Sequence, residues 1–173
     1  MNWKVSNLCV VLLLLSQGCG VYSFTGASIS PSIKTISIGT FYNNASLGPS
    51  NMTVLFTESI KDYYQQNTSL SLVETNGDLQ FEGYISDYTI TPVTANAAGT
   101  DGPDYASLSR ITIRVFCSYV NTQDDEFNFE KTFSFFRDFD QNTEDLSSNE
   151  EAFVEEIFDQ IILDIFNASV ANW

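Results

Sequence analysis

The 173-residue sequence is 43% hydrophobic and 14% aromatic, enough for one domain with a real core and short for two. It contains no histidine, which excludes Ser-His-Asp and Cys-His triads, HExxH zinc sites and imidazole acid–base chemistry. Seven Lys+Arg against 22 Asp+Glu give a formal charge of −15, the wrong sign for contacts to a nucleic-acid backbone, while 14 Phe and 8 Tyr are the wrong composition for an acidic disordered chain.

The first residues have the form of an export signal. Lys4 supplies a positive start, Leu8 to Leu15 is an unbroken apolar run, and Ser16-Gln17-Gly18 leads to Cys19. The run is far shorter than the roughly 20 residues needed to span a bilayer, so residues 1–18 read as a cleaved signal peptide. Small residues ahead of a cysteine at this point resemble a bacterial lipobox, although Ser16 stands where a leucine is usual. Cys19 is then expected to carry a diacylglycerol and an acyl chain such as palmitate. Of the three cysteines, Cys9 leaves with the signal and Cys19 is lipidated, so Cys117 has no intramolecular partner. In that setting the sequons at Asn44, Asn51, Asn67 and Asn167 are chance. The neutral Gly20-Val21-Tyr22-Ser23 suits a protein that faces the periplasm from the outer membrane.

Residues 19–33 form a low-charge tether, and residues 34–173 a single domain. Lys34 to Phe41 alternates in polarity, with Ile36 and Ile38 on one side, and predicts a strand. Pro49-Ser50-Asn51 predicts a helix start, with Val54, Leu55, Ile60 and Tyr64 as its stripe and an end near Gln66. Ser69 to Glu74 predicts a second strand, and Asn76-Gly77 a type I′ hairpin into a third from Leu79 to Pro92, with Phe81, Ile85 and Ile90 apolar. Thr94 to Tyr105 reads as a mobile loop.

Ser107 to Asn121 and Glu126 to Asp138 predict a hairpin. Ile111, Ile113, Val115, Cys117 and Tyr119 share one parity, and Phe127, Phe129, Phe133 and Phe135 the matching one. Cys117 then reads as a small buried hydrophobe. Phe153, Val154, Ile157, Phe158, Ile161, Ile162, Ile165 and Phe166 form the stripe of an amphipathic helix, opened by a Ser148/Glu151 capping box. The order β, α, four strands, α predicts an α+β two-layer sandwich: a mixed, mostly antiparallel sheet of about four to five strands with two helices packed on one face.

None of the carboxylate clusters reads as a catalytic or metal site. Asp138-x-Asp140-x-Asn142-x-Glu144 spaces oxygens like a calcium loop, but Thr143 replaces the turn glycine and Asn149 the final glutamate. Asp124-Asp125-Glu126 is a polar turn, and no pair stands apart as a glycosidase would need. The expectation is a protein that is not an enzyme and has no metal or cofactor beyond its lipid. The scarce cations are more informative. Arg110 and Arg114 alternate against the core parity, facing away from the helices, and Lys131 and Arg137 lie on the partner strand. These four are either cross-strand ion-pair partners, as Arg114 with Glu130, or a strip that grips phosphate or carboxylate.

Cys19-Gly20-Val21-Tyr22-Ser23-Phe24-Thr25-Gly26, Lys34 to Asn44 (KTISIGTFYNN), Phe56 to Asp62 (FTESIKD), Gly77 to Gly83 (GDLQFEG), Arg110 to Cys117 (RITIRVFC) and Asp164 to Asn167 (DIFN) together resemble the LptE family of lipopolysaccharide-assembly lipoproteins. The resemblance covers nearly the whole mature chain. It implies a two-helix, sheet-based fold seated one-to-one inside LptD, the outer-membrane β-barrel translocon. There the chain would act as plug and assembly partner in lipopolysaccharide transport, lipid-anchored, facing the periplasm, and binding lipopolysaccharide but no nucleic acid. A reading from another class is a stand-alone periplasmic lipoprotein that captures a glycan or small ligand on Tyr42, Tyr84, Tyr88 and Tyr105. The net acidity strains direct binding of an anionic glycolipid unless the cations are locally concentrated.

Overall fold

A computed structural model describes residues 29–93 and 108–170. The expected signal peptide, Cys19, most of the tether and the loop ending at Tyr105 lie outside these residues. The elements in chain order are β1 (Thr35–Ile38), β2 (Tyr42–Asn43), α1 (Met52–Asn67), β3 (Ser71–Val73), β4 (Leu79–Pro92), β5 (Leu108–Asn121), a single 3-10 turn (Asp125–Phe127), β6 (Phe129–Asp140) and α2 (Leu146–Val170). The α+β class holds, with six strands where four to five were expected; β2 is the addition. The sheet runs β3-β1-β4-β5-β6, with β2 beside β4. β4, β5 and β6 are antiparallel to one another, and β1 pairs parallel with both β3 and β4.

The core lies between one sheet face and the two helices. Ile111, Ile113, Val115, Cys117 and Tyr119 of β5 are all buried, as the strict alternation requires. All eight stripe residues of α2 from Phe153 to Phe166 are buried against them. α1 differs in detail. Its buried side is Met52, Phe56, Ile60 and Tyr64, a ladder of four-residue steps, and Val54 is 64% exposed because it falls on the opposite side of the helix. Aromatic rings bind the layers: Phe56 meets Phe41 at 5.0 Å and Phe158 edge-on at 4.9 Å, and Phe81 meets both Tyr64 and Tyr119. Deep in this layer the Tyr64 and Ser169 hydroxyls share a 2.6 Å hydrogen bond, and burial pushes the Cys117 thiol up to about 12.

α2 starts two residues before the expected cap. Asp145 takes that role: its carboxylate accepts the Ser147 N–H at 3.3 Å and both the Ser147 and Ser148 hydroxyls at 2.7 Å, which hold its pKa below the ordinary range.

Asn76-Gly77 does not close a hairpin. Leu72 and Leu79 both pair with Ile36, from opposite sides of β1, so the short link between β3 and β4 crosses over β1 instead of turning back beside it. Asn76 does take the positive φ of the turn signal, at 56°. Gly77 serves close approach instead: its N–H donates to Ser37 Oγ at 3.2 Å, and a Cβ there would lie 2.5 Å from the Ser37 nitrogen. An Asn-Gly pair marks a sharp reversal of local direction, and topology decides what the reversal connects.

Asp78 ends that link. Its Oδ2 accepts the Lys34 N–H at 2.8 Å and the Thr35 N–H and hydroxyl at 2.9 Å, which together lower its pKa, the Lys34 bond contributing most. A carboxylate with a depressed folded-state pKa contributes stability that is present above its unfolded value, about 3.9, and is lost as pH falls through the folded value. Asp78→Asn is therefore expected to lower stability at neutral pH and to flatten the acid limb below about pH 4, read as the urea midpoint against pH.

In β4 the register shifts between Ile85 and Asp87, with Ser86 as the extra residue donating its hydroxyl to the Arg114 carbonyl. The bulge carries Tyr88 onto the helix side, where it is buried and donates to Glu150 at 2.7 Å. Burial first, and then this bond, raise the Tyr88 phenol pKa. Ile90 keeps the same side but reaches the sheet's end and is 37% exposed.

Candidate functional site on the outer sheet face

With both helices on one side, the other face of β4, β5 and β6 is left open among the described residues. Because side chains alternate, this face takes the even positions of β5, and the register fixes their neighbours. Arg110 pairs with Thr91 and Asp138, Arg114 with Asp87 and Ser134, Phe116 with Tyr84 and Thr132, and Ser118 with Glu82 and Glu130.

Arg110 and Arg114 are on the outer face, as their parity required. Each already holds a carboxylate. Arg110 grips Asp138 with Nε and Nη2 at 2.6 and 2.8 Å and lies 3.7 Å over the Phe136 ring, a fork-on-fork geometry that raises the Arg110 pKa and lowers that of Asp138. Arg114 reaches Asp87 at 2.5 Å, on β4, rather than the expected Glu130, which lies opposite Ser118 on the other side of β5. These are half-exposed pairs, worth little individually to stability.

Lys131 and Arg137 do not join them. In β6 the odd residues face the helices, since Lys131 pairs with Cys117 and Arg137 with Ile111. Lys131 sits 4.9 Å over the Phe133 ring. Arg137 ties β6 to α2: it donates to Glu156 at 2.9 Å and Glu144 at 3.1 Å, and covers the Phe153 ring at 3.9 Å. The four-cation strip is thus split between two faces, with Arg137 as a clamp. The Asp138–Glu144 segment is likewise tied up in the fold, because Glu144 also accepts the Asp140 N–H and Asp140 that of Asn142.

Parity on β5 alone did not bring out the residues around Ser118. Tyr84 and Phe116 stack at 5.1 Å with 26° between planes, Tyr42 beside them is 66% exposed, and Glu82, Ser118 and Glu130 make the adjoining row of one groove. Phe116 shares the outward parity of Arg110 and Arg114, and the β4–β5 register sets Tyr84 beside it. Of the other tyrosines, Tyr88 is buried and Tyr105 lies outside the described residues.

The model of the LptE lipopolysaccharide-assembly family matches residues 33–169, spanning both helices and every strand. The chain belongs to the LptE family. No curated protein sequence matches it. Among solved structures, hypothetical protein CT253 from Chlamydia trachomatis is similar with a TM-score of 0.52 at 11% identity, over 81% of this chain and 99% of that one. Protein XCC0632 from Xanthomonas campestris has a TM-score of 0.51 at 11% identity, over 83% and 90%. Uncharacterized lipoprotein B from Nitrosomonas europaea has 0.50 at 11%, over 78% and 80%. At such identities the likeness is one of fold. The LptE family is a non-enzymatic family of lipopolysaccharide assembly.

Proposed function

We propose that this LptE-family chain is an outer-membrane lipoprotein, anchored through acyl chains on Cys19, that sits in the lumen of the LptD β-barrel as plug and assembly partner in lipopolysaccharide transport. The observation that carries the reading is the family match across residues 33–169. The geometry supports it in two ways. A sheet covered on one side offers a broad face for a surrounding wall, and that face presents paired charges and half-exposed rings, suited to the polar interior of a barrel. The work done is non-covalent throughout.

Contact with lipopolysaccharide phosphates falls in this reading to Arg110 and Arg114, which share a face and stay partly exposed. A phosphate would displace Asp138 or Asp87 from a guanidinium already shaped for bidentate contact. Lys131 and Arg137, on the helix side, would lie apart from that contact. Depleting the protein from its host is expected to lower surface lipopolysaccharide, measured by labelling intact cells, while total lipopolysaccharide persists. Unchanged surface labelling after depletion would contradict the proposal.

A further inference from the structure

The outer face carries more acid than base, and the surplus is localised. Asp138 and Asp87 neutralise Arg110 and Arg114, whereas Glu82 and Glu130 have no ion-pair partner among the described residues. Both flank Ser118, one on each side of β5, which sets them two inter-strand spacings or about 10 Å apart. The next row along the sheet is aromatic: Tyr42, Tyr84 and Phe116. Glu82, Glu130, Ser118 and these rings line a shallow groove of about 550 Å³.

The chemistries of this groove converge on one ligand group. Exposed carboxylates repel phosphate, so the groove is no second anion site. A guanidinium satisfies every surface at once: its plane stacks on aromatic rings, its N–H groups fork onto a carboxylate, and its weak hydration lowers the cost of leaving water. Lysine, a compact and strongly hydrated charge, suits the carboxylates but not the rings. We propose that this groove docks an arginine side chain of a protein partner, stacked on an open face of the Tyr84–Phe116 pair and held by Glu82, Glu130 and Ser118. Charge complementarity commits the occupant to a basic segment, as a chain of net charge −15 disfavours a second copy of itself. The inference rests on the barrel-plug reading only for the arginine's source, a segment of the barrel wall.

The test uses the whole mature chain in detergent micelles, titrated with N-acetyl-arginine amide while the Tyr84 and Phe116 ring protons are followed by NMR. Saturating shifts are expected, at least about threefold weaker binding for N-acetyl-lysine amide, and loss of the response in E82Q/E130Q with an unchanged melting temperature. Ring protons that do not move, a response that survives E82Q/E130Q, or stronger binding of a neutral oligosaccharide would each overturn the proposal. This assay contains no barrel and so stands independently of the plug reading. A photo-crosslinker in place of Ser118, in membranes, adds the second arm. An adduct on an arginine-bearing barrel peptide supports both readings, and one on an arginine-bearing peptide of another protein supports the groove while contradicting the plug. An adduct on lipopolysaccharide overturns the groove.

Discussion

Phe158→Ala is expected to remove about 3–5 kcal/mol of stability, a large share of the roughly 5–15 kcal/mol that holds a domain of this size together. Phe158 is fully buried and packs edge-to-face with Phe56, which in turn touches Phe41, so its ring links α2 to α1 and to the residue just ahead of β2. Truncation loses the transfer free energy of the ring and leaves a cavity between two helices that cannot collapse without tilting. Phe136 is the contrast: it is 44% exposed on the outer face, and its loss removes a 5.9 Å ring contact with Phe135 and the contact with Arg110, the latter worth about 0.5–1 kcal/mol. The paired urea midpoints of the two variants measure the difference.

Gly83→Ala should cost nearly as much although it adds one methyl group, about 3 kcal/mol and the upper end of overpacking effects. A Cβ at Gly83 would lie 2.1 Å from the Phe116 carbonyl oxygen and 2.5 Å from the Phe41 ring. The first is backbone of the neighbouring strand and cannot yield without breaking the β4–β5 ladder. The second is a fully buried ring whose displacement would carry β2 off the sheet. Gly39→Ala is the control, since the nearest atom to its Cβ, the Phe81 oxygen, is at an ordinary 3.4 Å. Urea unfolding should show a large fall in midpoint at Gly83 and a small one at Gly39.

Periodicity made the helix-side core legible. The stripe from Phe153 to Phe166 and the alternation from Ile111 to Tyr119 each state a face directly, because burial on one side leaves its period in the sequence. What stayed hidden depends on relations between strands. Asn76-Gly77 announces positive φ, and Asn76 has it, but that the chain then crosses β1 follows from parallel pairing of β1 with both β3 and β4. Ser86 shifts the parity of β4 midway, which carries Tyr88 from a proposed ligand platform into the core.

The candidate site divides along the same line. Parity on β5 sufficed to put Arg110 and Arg114 outside. Applied to β6, the same rule separates Lys131 and Arg137 from them, since both share the odd parity of Phe129, Phe133 and Phe135. The identity of each arginine's carboxylate, and hence the surplus of acid at Glu82 and Glu130, emerges only from register. Arg110 and Arg114, expected either as ion-pair partners or as an anion-gripping strip, stand paired with Asp138 and Asp87 in a row beside an acidic, aromatic groove.

The proposed function puts this LptE-family chain inside a barrel. The most direct measurement is affinity purification of the full-length protein from crosslinked outer membranes, with mass identification of what accompanies it. A large outer-membrane β-barrel of the LptD type is expected, in one-to-one ratio and retained through detergent. Recovery of the protein as a free monomer from native membranes would contradict it.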